Sequence, residues 1–355
     1  MKRNFEYILC NWCLERQFIK KYRQNDSKDC QICHRLDRRI DGICSKIIQE
    51  TKDYQYETCQ IGLTLHHIFY ENEDNFRSRF KIRGKESIKT NLLREIRKRY
   101  TESSNKKIDF DSPDITINLI IQKNFEIIVS IISRTLFLYG RYVKRKRFHT
   151  AGKYSQIVDS MEENRHHVEN LLKKKLSHVY KSDSIVFWPL GKEEAKSLVL
   201  GKGRPFYVSI KNPKIISFPH RYSVQCNGVT FYLKEKLARL PVHQPYYVKK
   251  VKTLISISGK PTPSDLKLVD NSGIILVEFV NNKNKSWQFA YKMKSKLKKR
   301  SKLELTILCD NGFQMRKFID GSERTFPNLY DIIQKKCNCD RYDIVDIFGE
   351  DDLLS

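Results

Sequence analysis

The chain has 355 residues, enough for two or three domains of roughly 150 residues each. Its 40% hydrophobic and 11% aromatic residues can form cores, which excludes a wholly disordered protein, and its 67 Lys and Arg against 41 Asp and Glu leave a charge of +26. That surplus favours a polyanionic partner, most simply nucleic acid, although charge alone does not distinguish RNA, DNA and acidic protein.

Neither a membrane span nor a signal peptide is expected. The longest apolar segment, 115–139, is interrupted by Lys123, Glu126 and Arg134. The N-terminus leads into a cysteine pair instead of an apolar core followed by a cleavage site. The chain also contains no Walker loop, dinucleotide glycine motif or H-E-x-x-H, so those enzyme classes are set aside.

Two Cys-x-x-Cys pairs predict a structural zinc site formed by Cys10, Cys13, Cys30 and Cys33. Two thiolates three residues apart converge on one ion, and two such pairs complete a tetrahedral shell with no open position. The alternative is four reduced cysteines in a small core, since a chain without a secretory signal is not expected to carry disulfides. We assign this zinc knuckle to residues 1–36 and expect His34 to be a bystander.

Helices and strands follow the knuckle. The pattern predicts a short helix at 40–48 and a longer one at 87–100, where apolar residues recur every four positions. The other face of the longer helix is basic, and it is either solvated or turned towards RNA. Alternating apolar residues then predict strands at 115–121 and 127–131, joined by a turn at 122–124.

A basic segment, 141–147, and a Gly-containing loop indicate the main domain boundary after residue 147. Ser160 and Glu163 fit a capping box that begins a helix. Strand patterns then dominate, at 185–188, 206–210, 229–233, 246–257, 274–280 and 287–291. These strands and the few helices favour a mixed α/β (α+β) fold on a mainly antiparallel sheet.

The C-terminal part ends with further short elements. Asp310-Asn311-Gly312 predicts a hairpin between strands at 303–309 and 313–319. A short helix is predicted at 328–336, followed by a final strand at 342–348. The lysine-rich segment 292–302 is predicted to be a cationic loop that either touches RNA or is simply solvated.

Six segments carry recognisable motifs, namely Cys10–Phe18, Glu86–Lys89, Asp109–Ile115, Tyr139–Tyr142, Gly201–Phe206 and Asp320–Pro327. In this order they resemble the THUMP-containing tRNA pseudouridine synthases of archaea and eukaryotes. No single motif is decisive, but six in the family's order, over most of residues 5–350, make chance a poor explanation.

The resemblance implies an enzyme that isomerises uridine to pseudouridine in the TΨC arm of tRNA without an organic or nucleotide cofactor. In the family an aspartate attacks the nucleoside, an arginine orients it, and a tyrosine lies against the flipped base. It also implies a THUMP-like RNA-binding domain at 37–147 and a synthase-like domain at 148–355. We expect an intracellular monomer, in the nucleus or cytoplasm, that binds tRNA and no membrane.

The sequence departs from the family at the catalytic motif. Gly191-Lys192-Glu193-Glu194 stands where the family has Gly-Arg-Glu-Asp, which puts Glu194 in the position of the nucleophile. Val251 occupies the position of the family's tyrosine, and Arg324 is predicted to be the partner of Glu194. A longer carboxylate misplaced by about 1 Å can cost on the order of 10²-fold in rate. Lys192 cannot reproduce the planar fork of an arginine.

Basic residues near the motif are the predicted RNA contacts: Arg141, Lys192, Lys202, Arg204, Lys249 and Lys250. Three functions stay open. The first is an active synthase with Glu194 as nucleophile. The second is a catalytically weak or inactive tRNA-binding folding chaperone, in which Glu194 is a solvated loop residue. The third is a general zinc-containing binder of single-stranded RNA or DNA.

Overall fold

The computed structural model divides the chain into two units. It describes residues 8–19, 29–148, 160–182, 184–218, 222–281, 284–298, 301–321 and 324–349, with side chains of the helix at 160 described from Val168. The first unit ends at Thr135 and includes Lys211–Ser217, and the second contains Leu136–Ile210 and the residues from Phe218. No helix in these described ranges is long and apolar enough to cross a membrane.

A four-stranded sheet organises the first unit, with strands β1 (Thr58–Leu65), β2 (Lys107–Ile108), β3 (Ile115–Ile121) and β4 (Ile127–Ser133). The order is β2-β1-β3-β4; β1 is parallel to both neighbours, and β3 and β4 form the predicted antiparallel hairpin. Parallel neighbours need crossover connections, which explains why helices separate β1 from β3.

The helices of the first unit are α1 (Asn11–Arg16), α2 (Ile40–Thr51), α3 (His67–Phe80) and α4 (Ile88–Ser104), and a short 3-10 helix spans Leu36–Arg39. Ser87 caps α4 by accepting a hydrogen bond from Thr90 N at 3.1 Å. The four-residue repeat of α4 is fully buried in the core, at Ile88, Leu92, Ile96 and Tyr100. The predicted helices at 40–48 and 87–100 are therefore confirmed.

The second unit is built on an 11-stranded mixed sheet. Its strands are β5 (Leu136–Lys144), β6 (Ser184–Pro189), β7 (Val199–Lys211), β8 (Tyr222–Cys226), β9 (Val229–Leu237), β10 (Tyr247–Ile257), β11 (Ile275–Asn281), β12 (Asn284–Lys298), β13 (Lys302–Asp310), β14 (Thr325–Phe326) and β15 (Cys337–Gly349). The order is β14-β11-β12-β13-β10-β15-β7-β5-β9-β8, and β6 pairs with β7. The strand pairs described are antiparallel except β15 with β7, which confirms a mainly antiparallel sheet.

In the described part of the second unit, the helices beside this sheet are α5 (Ser160–Tyr180), α6 (Pro263–Asp270), α7 (Met315–Asp320) and α8 (Leu329–Ile333). Val168, Leu172 and Leu176 of α5 are buried in one core with residues of the strands. Asn328 caps α8 in a reciprocal capping box with Asp331. The predicted short helix at 328–336 and the final strand are confirmed.

Two sequence-based expectations differ from the structure. The predicted strand at 313–319 is wrong, because α7 begins at Met315. Met315, Phe318 and Ile319 are buried at helical spacing, and Gly321 ends the helix with φ +72°. The loop predicted at 292–302 is also wrong over 292–298, which belong to β12. Strand β5 pairs with β7 and β9, and all three belong to the second unit.

Candidate functional site

Glu194 lies in the connection between β6 and β7, and internal hydrogen bonds fix its backbone. Lys144 of β5 is fully buried, and its Nζ donates to the carbonyl oxygens of Glu194 at 3.0 Å and Ala195 at 3.2 Å. Ser197 N also donates to Glu194 O at 3.1 Å. These hydrogen bonds fix the position of the Glu194 main chain, from which its side chain extends.

Arg316 of α7 holds the Glu194 carboxylate with both prongs of its guanidinium. Arg316 Nε donates to Glu194 Oε1 at 2.9 Å, and Nη2 donates to Oε2 at 3.0 Å. Glu194 is buried, whereas the Arg316 side chain is 43% exposed. This bidentate geometry is the strongest form of an Arg–carboxylate pair and fixes the plane of the carboxylate.

The third guanidinium nitrogen of Arg316, Nη1, forms a hydrogen bond with the sheet. Its Nη1 donates to Cys339 O of β15 at 2.7 Å and lies 4.0 Å from Asp320 Oδ2. The hydrogen bonds with Glu194 raise the pKa of Arg316 above its usual value. Arg316 is therefore a permanently charged group, with Glu194 as its principal partner.

Arg316 is the residue that sequence reasoning missed. The segment 313–319 was interpreted as a strand, and the family resemblance pointed to Arg324 instead. Arg324 is exposed, and its carbonyl oxygen accepts from Val280 N at 2.8 Å; the guanidinium that contacts Glu194 is that of Arg316. The planar guanidinium in contact with Glu194 is thus on α7, and Lys192 is exposed. Helical spacing of the apolar residues, with Gly321 as a C-terminal cap, was the available signal.

Buried charged side chains also contact residues 190–193 of the connection between β6 and β7. Arg204 Nε donates to Leu190 O at 2.7 Å, and Nη2 donates to Gly191 O. Glu193 Oε1 lies 3.3 Å from Lys144 Nζ, and Oε2 lies 3.5 Å from Arg204 Nη1. These contacts hold the residues directly before Glu194, so Arg204 and Glu193 position the site without being exposed to a ligand.

The six predicted RNA contacts divide into exposed and buried residues. Lys192, Lys202 and Lys250 are exposed, whereas Arg141, Arg204 and Lys249 are buried, which the sequence did not reveal. Arg141 Nη1 donates to Ile347 O at 2.9 Å, and Lys249 Nζ donates to Phe313 O at 3.0 Å. Burial lowers the pKa of Lys249 to about 8. Phosphate contacts by the buried cations would require breaking these internal bonds.

The aromatic groups near the site differ from the family pattern. Val251 is fully buried in the core. Tyr246 OH donates to Asp310 Oδ1 at 2.6 Å, and Tyr247 OH lies 3.4 Å from Tyr139 OH. Tyr342 of β15 is buried, and burial followed by the nearby Glu194 carboxylate raises its pKa.

The four predicted metal ligands lie together in the first unit. Cys10, Cys13, Cys30 and Cys33 are buried, and their Sγ atoms all lie within 4.8 Å of one another. Cys10 Sγ and Cys33 Sγ are 3.5 Å apart, and all four cysteines are free thiols. Four thiolates about 2.3 Å from a central ion would be spaced in this range, so the cluster fits a tetrahedral metal ion.

A buried cation accompanies the cysteines. Arg16 Nη2 lies 3.4 Å from Cys13 Sγ, and Nη1 contacts Glu73. A positive group beside four thiolates balances part of their charge. His34 points elsewhere, with Nε2 3.1 Å from Asn72 Nδ2.

Comparisons with known proteins agree with this architecture. A family model described as "Pus10, C-terminal" matches residues 137–348, and one described as "Pus10 THUMP domain, archaeal" matches residues 43–119. A protein named tRNA pseudouridine synthase Pus10 from Nitrosopumilus maritimus is 25% identical over 96% of this chain and 95% of its own length. The protein of that name from Cenarchaeum symbiosum is 23% identical over 97% of this chain and 90% of its own length. The first match alone spans more than half of the chain, so the resemblance noted in the sequence is confirmed and the chain belongs to the Pus10 family.

Proposed function

We propose that this protein is a tRNA pseudouridine synthase in which Glu194 takes the place of the family's nucleophilic aspartate. One observation carries the proposal: the carboxylate at that position is held by both prongs of Arg316, at 2.9 and 3.0 Å. A solvated loop glutamate, the alternative considered for Glu194, would not be buried and clamped in this way. The reaction and the substrate in this proposal are those in the name of the two relatives, tRNA pseudouridine synthase.

In this proposal Arg316 orients the Glu194 carboxylate, and one of its oxygens attacks C1′ of a flipped uridine as the glycosidic bond from C1′ to N1 breaks. The base turns, and C5 then bonds to C1′ while the bond from C1′ to the Glu194 oxygen breaks, which returns the carboxylate. The C5 proton is lost and N1 gains a proton, so the reaction is an isomerisation that needs no oxidant or cofactor. Preorganised charge of this kind acts through positioning, which is why a one-methylene change in the carboxylate matters.

The second candidate is a catalytically weak or inactive tRNA-binding protein that assists tRNA folding. Two departures favour it: the longer Glu194 side chain, and the fully buried Val251 at the position of the family's tyrosine. The two-pronged contact of Arg316 with Glu194 favours the active enzyme. We therefore place isomerisation first.

Exposed cations and the metal cluster complete the proposal. Lys192, Lys202 and Lys250 are the proposed phosphate contacts of the tRNA. The four cysteines are proposed to hold a structural Zn²⁺, because a shell of four thiolates leaves no position for a substrate. A tRNA substrate implies an intracellular location, in the nucleus or cytoplasm.

The test uses an unmodified tRNA transcript, the full chain in excess over RNA, and carbodiimide treatment followed by primer extension. Wild type is expected to produce a pseudouridine stop in the T arm. Glu194→Gln, which removes the charge and keeps the shape, is expected to abolish the stop while binding of tRNA persists.

Glu50→Gln, at an exposed position of α2, is the matched control and should leave the stop unchanged. No stop with the wild type, combined with tight tRNA binding and faster refolding of tRNA, would reject the synthase in favour of the chaperone. Equal affinity for tRNA and random RNA would instead support the general binder.

A further inference from the structure

The lysine-rich segment after residue 291 forms a regular row on one face of the second sheet. The alternating lysines of β12 are exposed, and the residue between the first two, Met293, is buried. The row consists of Lys292, Lys294, Lys296 and Lys298. Successive members are about 6.7 Å apart along the strand, since each residue of a strand advances by about 3.3–3.4 Å.

Glu304 of β13 is the acidic residue in register with this row, opposite Lys296. Lys298 Nζ lies 3.4 Å from Glu304 Oε2 of the neighbouring strand. Within the residues that the structure describes, Lys292, Lys294 and Lys296 form no ion pair. Lys250 and Lys252 of β10 lie on the same face, because both pair with residues of β13 that oppose the row, namely Leu308 and Thr306. Lys252 Nζ lies 3.1 Å from Glu304 Oε1. The face therefore carries a clear excess of positive charge.

Exposed aromatic side chains continue the same face of the same strand. Trp287 and Phe289 precede the row on β12 and are 56% and 41% exposed. Trp287 pairs with Glu278 of β11, and Glu278 pairs with Phe326 of β14, which is 70% exposed. Directly paired residues point to one face of a sheet, so the three side chains share a row.

Further apolar side chains lie next to these exposed aromatic rings. Phe289 pairs with Leu276, which is 47% exposed, and stacks on Tyr291 with ring centroids 5.8 Å apart. The opposite face of these strands is core: Val277, Phe279 and Ile307 are fully buried. The exposed side thus offers flat rings at one end and ammonium groups along the rest.

We propose that this face, formed by Trp287, Phe289, Phe326 and the row Lys292–Lys298, binds a single-stranded segment of RNA. Bases stack on exposed rings whatever their identity, and the ammonium row follows the phosphates. A duplex buries its base faces and cannot use the rings, so the surface selects unpaired nucleotides. This goes beyond the proposed isomerisation, since the surface contains neither Glu194 nor Arg316 and requires no chemistry.

The test measures binding of a short fluorescent oligouridylate, and of an RNA duplex of the same length, to the full chain as a function of salt. Trp287→Ala with Phe289→Ala is expected to weaken oligouridylate binding about tenfold or more, and duplex binding much less. Lys292→Gln, Lys294→Gln and Lys296→Gln together are expected to make the slope of log affinity against log salt shallower by about 2. Each lost phosphate contact on a single strand accounts for about 0.7 of that change.

Lys174→Gln, Lys175→Gln and Lys181→Gln remove three charges at other exposed positions, on α5 and directly after it, and should leave the oligouridylate affinity and its salt slope nearly unchanged. Trp287 fluorescence should be quenched by the oligonucleotide, and Trp287→Phe should remove that change. Equal losses for the two lysine triples, or no preference for single strands over duplex, would overturn the proposal.

Concentration-dependent dimerisation abolished by the aromatic variant would also overturn it, by showing that the rings meet a second copy of the chain. Pseudouridine formation by the wild type is measured separately with excess enzyme. In the wild type, activity without oligouridylate binding would reject this RNA-binding face alone, and oligouridylate binding without activity would reject the synthase alone.

Discussion

Replacing Arg316 by Lys isolates the contribution of the two-pronged contact to Glu194. Wild-type Arg316 makes two charge-assisted hydrogen bonds to the carboxylate, at 2.9 and 3.0 Å, and a third to Cys339 O at 2.7 Å. Lysine keeps the charge but not the planar fork, so at least one bond to the carboxylate is lost and its plane is released. At about 1.5–3 kcal/mol for a hydrogen bond to a charged group, the barrier should rise enough to slow the reaction about 10- to 100-fold.

The assay is single-turnover release of tritium from tRNA carrying [5-³H]uridine, with enzyme in excess. Affinity for tRNA is measured in parallel and is expected to change about twofold at most, since the positive charge remains. Arg341→Lys is the matched control, because Arg341 is an exposed residue of β15, and its rate should equal that of wild type. A full rate for Arg316→Lys would refute the view that Arg316 positions Glu194. If the two residues act as a unit, Glu194→Gln combined with Arg316→Gln will be no slower than the slower single variant.

The remaining predictions concern the metal, a buried lysine and a glycine. Chelation is expected to release about one zinc per chain and to unfold the first unit, as followed by circular dichroism and atomic absorption, while Cys226→Ser, outside the cluster, should retain the metal. The pKa of Lys249 is about 8 in the folded state, against 10.5 for a lysine exposed to solvent, so the unfolded state binds more protons between these two pH values. The free energy of unfolding should therefore rise with pH above 8, by up to about 3 kcal/mol, and denaturant titrations of Lys249→Met should lack this rise. Gly191 has φ +75° and an added Cβ would meet the Asn311 side chain, so Gly191→Ala should lower the melting temperature and the isomerisation rate, whereas Gly42→Ala, where nothing lies within 4 Å of the added Cβ, should lower neither.

Local patterns predicted much of the first unit because its elements bury one face each. The four-residue repeat of α4 and the alternation in β3 become its core, and the spacing of the cysteine pairs was enough to predict the cluster. The segment 292–298 was harder. Its charge suggested a loop, yet alternating lysines are compatible with a strand whose other face supplies Met293 to the core.

The candidate site was predicted only in part because its parts come from distant segments. The motif identified the position of Glu194, but its partner depends on α7 packing against β15, a contact between residues far apart in sequence. The apolar residues of the short segment Phe313–Ile319 fit both a strand and a helix. Because the segment was predicted to be a strand, Arg316 was not identified as a candidate site residue. Burial of Arg141, Arg204 and Lys249 likewise depends on tertiary contacts, since a basic residue is normally expected at the surface.

The most direct measurement compares tritium release by wild type and Glu194→Gln on the same C5-labelled tRNA, in a single turnover and at matched tRNA occupancy. We expect release by the wild type, with one pseudouridine formed in the T arm for each tritium lost, and none by the variant. Equal release by both proteins, or none by the wild type while tRNA is fully bound, would contradict it.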